Sequence, residues 1–447
     1  MDASSLRSEA TDLLRALLRL DTTNPPGNET PAAELLADYL RQSGIACELV
    51  ARDPARANLV ARLPGRGNGP SLMLLGHTDV VPADAAGWQN PPFGAVLDPA
   101  GYLWGRGACD MKNEVATRAV ALAAMARSGT PLAGDLVLVA VADEEDGTDQ
   151  VGMSWLVDER PDLATDYVLN EGASERLTLA DRRTVVTINV GEKAAAGVRV
   201  TALGTPGHSS TPYGASRAVP ALAELIGRLA AYRPRRRLLP VTRSLLQSLI
   251  GSFDEDDLDG AIARAVGLHP AFQELVAPLF STTFAPTRLQ GSESLNVLPS
   301  RATVDCDCRL LPGTTEEDLQ TELAEALGSD IPYELELFEP VTGGTLSPIA
   351  TPLFDACRAF VDAHDPDAIL VPTICTGFTD SHYARSTFQS VAYGFWPVRT
   401  TPYAVAAAGV HGHDERIHVD DLGYAALFHV EVCRTLLADS ESEPPVR

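Results

Sequence analysis

Five short segments of this 447-residue chain carry side chains of the kind that hold metal ions. Gly76-His77-Thr78-Asp79 follows an apolar run. A histidine with a carboxylate two residues on supplies either a metal ligand and a partner for its other ring N–H, or only a turn. Asp110, in the loop Gly105-Arg106-Gly107-Ala108-Cys109-Asp110-Met111-Lys112, is a ligand or a helix N-cap. Asp143-Glu144-Glu145-Asp146 sets four acids side by side, as a surface turn or as a group whose repulsion a cation removes. Asn170-Glu171-Gly172 and His411-Gly412-His413-Asp414-Glu415 complete the set. Imidazole and carboxylate ligands without cysteine suit zinc, cobalt or manganese, and permit two ions sharing one carboxylate. The chemistry of such a pair is hydrolytic, because the ions acidify a water and polarise a carbonyl.

The surrounding pattern brings these segments to the ends of strands. Residues 31–43 and 112–128 are spaced as helices, whereas 71–76 (SLMLLG), 135–142 (DLVLVAVA) and 166–170 (DYVLN) are short, apolar and strand-like. Alternating strands and helices predict an α/β fold with a mostly parallel sheet, in which chemistry collects beyond the carboxyl ends of the strands. From about 192 the pattern changes, with strands at 196–203, 282–290 and 301–310 and helices at 214–231 and 315–327. This predicts a catalytic domain over 1–191 and 341–447, interrupted by an α+β domain over 192–340. AILVPTICTGFTD and SVAYGFWP resume the sheet, and a helix at 421–437 closes it. The charged stretch 233–280, with PRRR and DEDDLDG, has no assigned role, and the tail SESEPPVR is expected to be disordered.

Composition excludes several classes. A formal charge of −25 argues against nucleic-acid and anionic-membrane partners, which require a basic face. No apolar run approaches the roughly 20 residues that cross a bilayer. Leu6, Leu13, Leu14, Leu17 and Leu18 are spaced for an amphipathic helix, with Glu9, Asp12 and Arg15 between them, unlike an export signal. Seven scattered cysteines without a CxxC pair suit reduced thiols, hence a cytoplasmic location. Lysine occurs only at 112 and 193 in an arginine-rich chain, which suggests a need for a compact ammonium at those points.

GHTDVVP, GRGACDMK, ADEED, NEGAS, GTPGHSS, NVLPSRATVDCDCRL and GVHGHDERI, in this order over roughly 70–430, resemble the motif set of the M20 metallopeptidases. That family includes aminoacylase-1, carboxypeptidase S, glutamate carboxypeptidase and succinyl-diaminopimelate desuccinylase. The resemblance implies two divalent ions, zinc foremost and cobalt or manganese as alternatives, with Asp110 bridging them. His77 and Glu171 complete one site, and Glu145 and His411 the other. Asp79 orients His77, Glu144 is the general base toward the water, and Glu415 packs behind the ligands. Cys109 reads as a small buried filler.

The inserted domain resembles the family's lid and dimerisation domain, which implies a homodimer. His208 matches an oxyanion-stabilising histidine and Arg309 an arginine that holds a substrate carboxylate. Asn296, Gly377 and Thr379 match substrate-side positions. Without the resemblance His208 reads as a turn residue and Arg309 as a surface charge. The implied reaction is amide hydrolysis of an N-acyl amino acid or short peptide with a free carboxylate. Cleavage of a carbamoyl or ureido bond, or a catalytically silent binding protein, are the alternatives.

Overall fold

The computed structural model describes residues 3–213 and 216–439, so the expected disordered tail at 440–447 lies outside the described residues. The chain divides into two compact units, one of residues 1–190, 347–373 and 379–447, the other of 191–346 and 374–378.

In the first unit the amphipathic leucines form α1 (Ala3–Leu18), followed by α2 (Thr30–Arg41), β1 (Ala46–Val50), β2 (Asn58–Leu63) and β3 (Leu72–His77). Short strands β4 (Val96–Leu97) and β5 (Tyr102–Trp104) precede α3 (Lys112–Ser128) and β6 (Leu136–Val141). Then come α4 (Met153–Glu159), β7 (Tyr167–Asn170), β8 (Arg176–Thr178) and β9 (Thr184–Glu192). All six residues of β3 and of β6 are buried, the mark of strands covered on both faces. Almost every residue of α3 is buried too, because α1 and the C-terminal helix cover the side turned from the sheet.

The second unit contains β10 (Ala194–Leu203), β11 (Gly207–His208), α5 (Ala218–Ala231), α6 (Pro240–Ile250), α7 (Leu258–Val266) and α8 (Phe272–Leu275). It continues through β12 (Thr283–Gln290), β13 (Val297–Leu298), β14 (Arg301–Leu310), α9 (Glu316–Leu327) and β15 (Tyr333–Gly343). Its sheet is antiparallel in the order β12-β14-β10-β15, with Val198, Val200, Val304 and Cys306 packed under Leu222, Leu225, Leu319 and Leu323 of α5 and α9. The charged stretch 233–280 is largely helical. Leu245, Leu246, Ile262 and Phe272 are buried beneath a charged exterior.

The chain then returns as α10 (Pro352–His364), β16 (Ala368–Cys375), α11 (Ser381–Ser386), β17 (Val391–Gly394), α12 (Tyr403–Gly409), β18 (Arg416–His418) and α13 (Val419–Leu437). The large sheet runs β1-β2-β6-β3-β7-β17-β9-β16. Its centre, β6-β3-β7-β17, is parallel, and β1, β2 and β9 join it antiparallel. No helix among the described residues is long and apolar enough to cross a membrane.

Both lysines are fully buried. Lys112 Nζ donates to the carbonyls of Leu17 and Leu20 (3.3 and 2.9 Å), at the end of α1. Lys193 Nζ donates to those of Pro278 and Ser281 (3.0 and 2.9 Å). All seven cysteines are free thiols.

Candidate metal centre

Three adjacent parallel strands end at the same edge of the sheet. His77 is the last residue of β3, Asp143, Glu144 and Glu145 follow β6, and Glu171 follows β7. The loop before α3 contributes Asp110. Gly107 lies at φ +88°, where a side chain is strained, and an added Cβ would meet Lys112 at 2.9 Å. Glu415, fully buried, secures this loop by accepting from the N–H groups of Gly107, Cys109 and Asp110 (2.9, 2.6 and 2.9 Å) and from Arg106 Nη1 (2.8 Å).

Asp110 faces two imidazoles with different oxygens. His77 Nε2 lies 3.2 Å from Oδ1, and His411 Nε2 lies 3.3 Å from Oδ2. His77 Nε2 is also 3.6 Å from Glu171 and 3.9 Å from Glu144, while His411 Nε2 is 3.0 Å from Glu145. His77, Asp110 and Glu145, and separately His77, Glu144 and Glu171, bring one ligand-type atom each within 4.8 Å of one another.

The electrostatics of this cluster favour added positive charge. Burial disfavours a charged His77 ring, yet Glu171, Asp110 and Asp79 outweigh it and raise its pKa well above the usual value. Hydrogen bonds to Asp110 and Glu145 push His411 up to about 10. Burial and the neighbouring Glu171 hold the Glu144 carboxyl well above the usual carboxylate range. Burial also raises Glu145, whose Oε1 is buried without a hydrogen-bond partner among the described residues. Converging carboxylates that draw protons onto two imidazoles, with one acceptor oxygen left over, form a donor set that fits divalent cations.

The sequence profile of peptidase family M20/M25/M40 matches residues 73–435. The chain belongs to this family. Mouse (Mus musculus) aminoacylase-1 is 28% identical over 420 residues, covering 91% of this chain and 90% of that protein. Succinyl-diaminopimelate desuccinylase of Rhodospirillum centenum is 29% identical over 425 residues, covering 92% of each. The crystal structure of an M20 metallo-carboxypeptidase from Sulfolobus solfataricus shares the fold, with TM-score 0.72 at 19% identity over 96% of this chain and 99% of that one.

Within this M20 metallohydrolase, Asp79 has more partners than its expected role requires. His77 Nδ1 is nearer to the Asp79 main-chain oxygen (3.0 Å) than to its Oδ1 (3.4 Å). The carboxylate accepts instead from the N–H groups of Glu144 and Glu145 (3.3 and 3.1 Å) and from Asn24 Nδ2 (2.9 Å). His413 packs its ring against Gly87, and His418 caps α13, accepting from Asp420 N–H at 3.2 Å. His411 alone of the three reaches the carboxylates. Cys109 is half-buried, its Sγ 3.3 Å from the Arg416 carbonyl, and burial raises its thiol well above the usual value, which fits the expected inert filler.

The remaining predicted residues, except Thr379, lie in the second unit. His208 is exposed on β11, its Nδ1 engaged by the Ser210 N–H and hydroxyl (3.1 and 2.8 Å). The Asn296 carbonyl accepts from Ser209 N–H at 3.1 Å. Arg309, on β14, forks onto Asp307 (2.8 and 3.1 Å). Gly377 belongs to the segment 374–378, which comprises the end of β16 and the residues after it and packs with the second unit. Thr379, in the first unit, is buried and its Oγ1 accepts from Ser381 N–H at 3.2 Å. Sequence reasoning missed Asn24, Glu29 and Arg56, which lie far upstream of the motifs they support.

Proposed function

We propose that this chain hydrolyses the amide bond of an N-acyl amino acid or short peptide with a free carboxylate, at a pair of divalent cations. The observation that carries the reading is Asp110, whose oxygens lie 3.2 Å from His77 and 3.3 Å from His411. One carboxylate thereby serves two donor sets, His77 with Glu171 and His411 with Glu145. When bound, the cations supply an acidified water and an electrophile for the carbonyl oxygen. Zinc is our first choice of metal, with cobalt and manganese compatible with the same donors.

Glu144 takes the proton from the attacking water and delivers it to the leaving nitrogen, without which an amine departs poorly. Asp79 sets the ring of His77. Arg309 presents the planar fork that recognises a carboxylate, as it does toward Asp307. His208 stabilises the oxyanion, with Asn296, Gly377 and Thr379 as substrate-side positions. The names of the aminoacylase and desuccinylase relatives support cleavage of an acyl group from an amine. A homodimer through the second unit is supported by its exposed Tyr213, Leu289, Leu295 and Val297. Free cysteine thiols support a reducing, cytoplasmic location.

The test is release of free amino acid from a mixed panel of N-acyl amino acids and dipeptides by zinc-reconstituted protein, against Glu144→Ala. We expect release by wild type alone, with both proteins holding the same zinc. Two zinc ions bound without release by wild type would overturn the reading in favour of another C–N bond. Absence of both zinc and release would leave a silent scaffold.

A further inference from the structure

The segment before α2 runs beside the loop that leaves β3. Asn24 N–H donates to the Val80 carbonyl (2.9 Å), Val80 N–H to Thr22 (3.1 Å), and the Thr22 hydroxyl to the Thr78 carbonyl (2.6 Å). This pairing carries the Asn24 side chain into the interior, where it is 2% exposed. Its Nδ2 donates to Asp79 Oδ2 (2.9 Å) and to Asp143 Oδ1 (3.1 Å). One amide group therefore stands between two buried carboxylates and donates to both.

Those carboxylates belong to the two loops that present His77 and Glu144–Glu145. Asp143 is held at φ +62°, a left-handed conformation uncommon among non-glycine residues, with contacts to its carboxylate on several sides. Those contacts are Asn24, the N–H of Val151 (3.3 Å to Oδ2) and Arg56, 3.3 Å from Oδ1. Arg56 is itself buried and anchored by Glu29 (2.6 and 2.9 Å) and Asp149 (2.7 Å). From the turn at Asp143 the next two N–H groups reach back to Asp79, closing a ring of contacts from Asn24 through Asp143, Glu144 and Glu145 to Asp79.

We propose that Asn24 is a positioning residue of the metal centre, its amide clasping the His77–Asp79 loop to the Asp143–Glu145 loop and so fixing the separation of the donors they carry. The proposal rests on the reading of those donors given above. Asn24 touches neither substrate nor reacting atoms and acts through Asp79 and Asp143. An acid at this position keeps the shape of the side chain but replaces the donor with a third carboxylate oxygen. Alanine removes the clasp without adding charge.

The experiment compares wild type, Asn24→Asp and Asn24→Ala in full-length protein stripped of metal. Zinc affinity is read by competition with a chelating dye, thermal midpoint on the metal-free protein, and kcat and KM on the N-acyl amino acid panel. We expect zinc affinity in Asn24→Asp to fall roughly 10–100-fold, the range typical of groups that orient metal ligands. We also expect kcat to fall with KM within about threefold, and Asn24→Asp, which buries a third carboxylate, to lower the metal-free midpoint more than Asn24→Ala does. Should Asn24→Asp not fold, Asn24→Ala must show the same losses. Zinc affinity and kcat within twofold of wild type in a folded variant would overturn the clasp, as would a loss confined to the thermal midpoint. The zinc titration needs no substrate, so it decides the clasp even if wild type cleaves nothing on the panel.

Discussion

Asp79 and Glu145 are joined by a hydrogen bond of 3.1 Å from the Glu145 N–H to the Asp79 carboxylate, so the loop after β3 holds the loop after β6 through main chain. With Glu144 N–H on the other oxygen at 3.3 Å, the carboxylate fixes two consecutive residues of the acidic loop. Asp79→Ala frees both N–H groups and removes the carboxylate beside the His77 ring, which keeps its contact to the main-chain oxygen at position 79. We expect kcat and zinc affinity to fall about 10–100-fold each. A variant that keeps zinc affinity while losing kcat would confine Asp79 to work after metal binding.

The two sides of Asp110 differ in exposure. The His77 side chain is 1% exposed and that of His411 56%. His411→Ala should therefore remove one donor at little structural cost, within about 0.5 kcal/mol of wild-type stability, and retain about one zinc of the two expected. Asp110→Ala should bind neither ion tightly. Elemental analysis after dialysis measures both, and equal zinc content in the two variants would contradict a shared carboxylate.

Acid should destabilise the first unit through His429. This α13 residue is fully buried, neither ring nitrogen has a hydrogen-bond partner among the described residues, and burial, with Arg118 nearby, lowers its pKa well below 6.5. A group depressed in the folded state contributes its stability above the unfolded value. That contribution is lost as pH falls from 6.5 towards the folded value, by at most about 1.4 kcal/mol per unit. His429→Leu should flatten thermal midpoint against pH between 4 and 6.5 relative to wild type. Parallel curves would show that the ring is not held neutral.

The buried ammonium groups are matched to pairs of carbonyls rather than to acids. Lys112→Arg forces a larger, planar head into a site closed around one nitrogen, and should cost about 1–3 kcal/mol by overpacking. Lys112→Met fits the volume but takes the donor from the Leu20 carbonyl, while the Leu17 carbonyl keeps the Leu20 N–H, at about 1–3 kcal/mol. Urea unfolding measures both, and a neutral Lys112→Arg would mean that the site tolerates any cation.

Much of the centre was legible because its donors sit at strand ends. The buried runs LMLLGH and LVLVAV lead directly into His77 and into the acids at 143–145, and two parallel neighbours must deliver their next residues to the same edge. Glu415 was legible as support, though not its four bonds to the 106–110 loop. Asn24 was not legible, since its role depends on residues 22–24 lying beside residues 78–80, a pairing without local pattern. The helices within 233–280 were hidden by charge, because Arg243 of α6 and Asp259 of α7 share their helices with the buried Leu245, Leu246 and Ile262, and charged residues such as Arg236 and Asp256 flank them. The segment 374–378 was assigned with its strand, yet Lys193 N–H bonds to the Cys375 carbonyl (2.9 Å) within the other unit.

The burial of both lysines also determines how the molecule meets reactive small molecules. Unprotonated amines that solvent can reach attack the carbonyl carbon of thioesters, anhydrides and aldehydes, and no lysine side chain of this chain is offered to such reagents. Amine-directed labels and crosslinkers will find no lysine to modify on the native fold. They should react at positions 112 and 193 only as it opens, which makes the appearance of acylated lysine a chemical clock for unfolding.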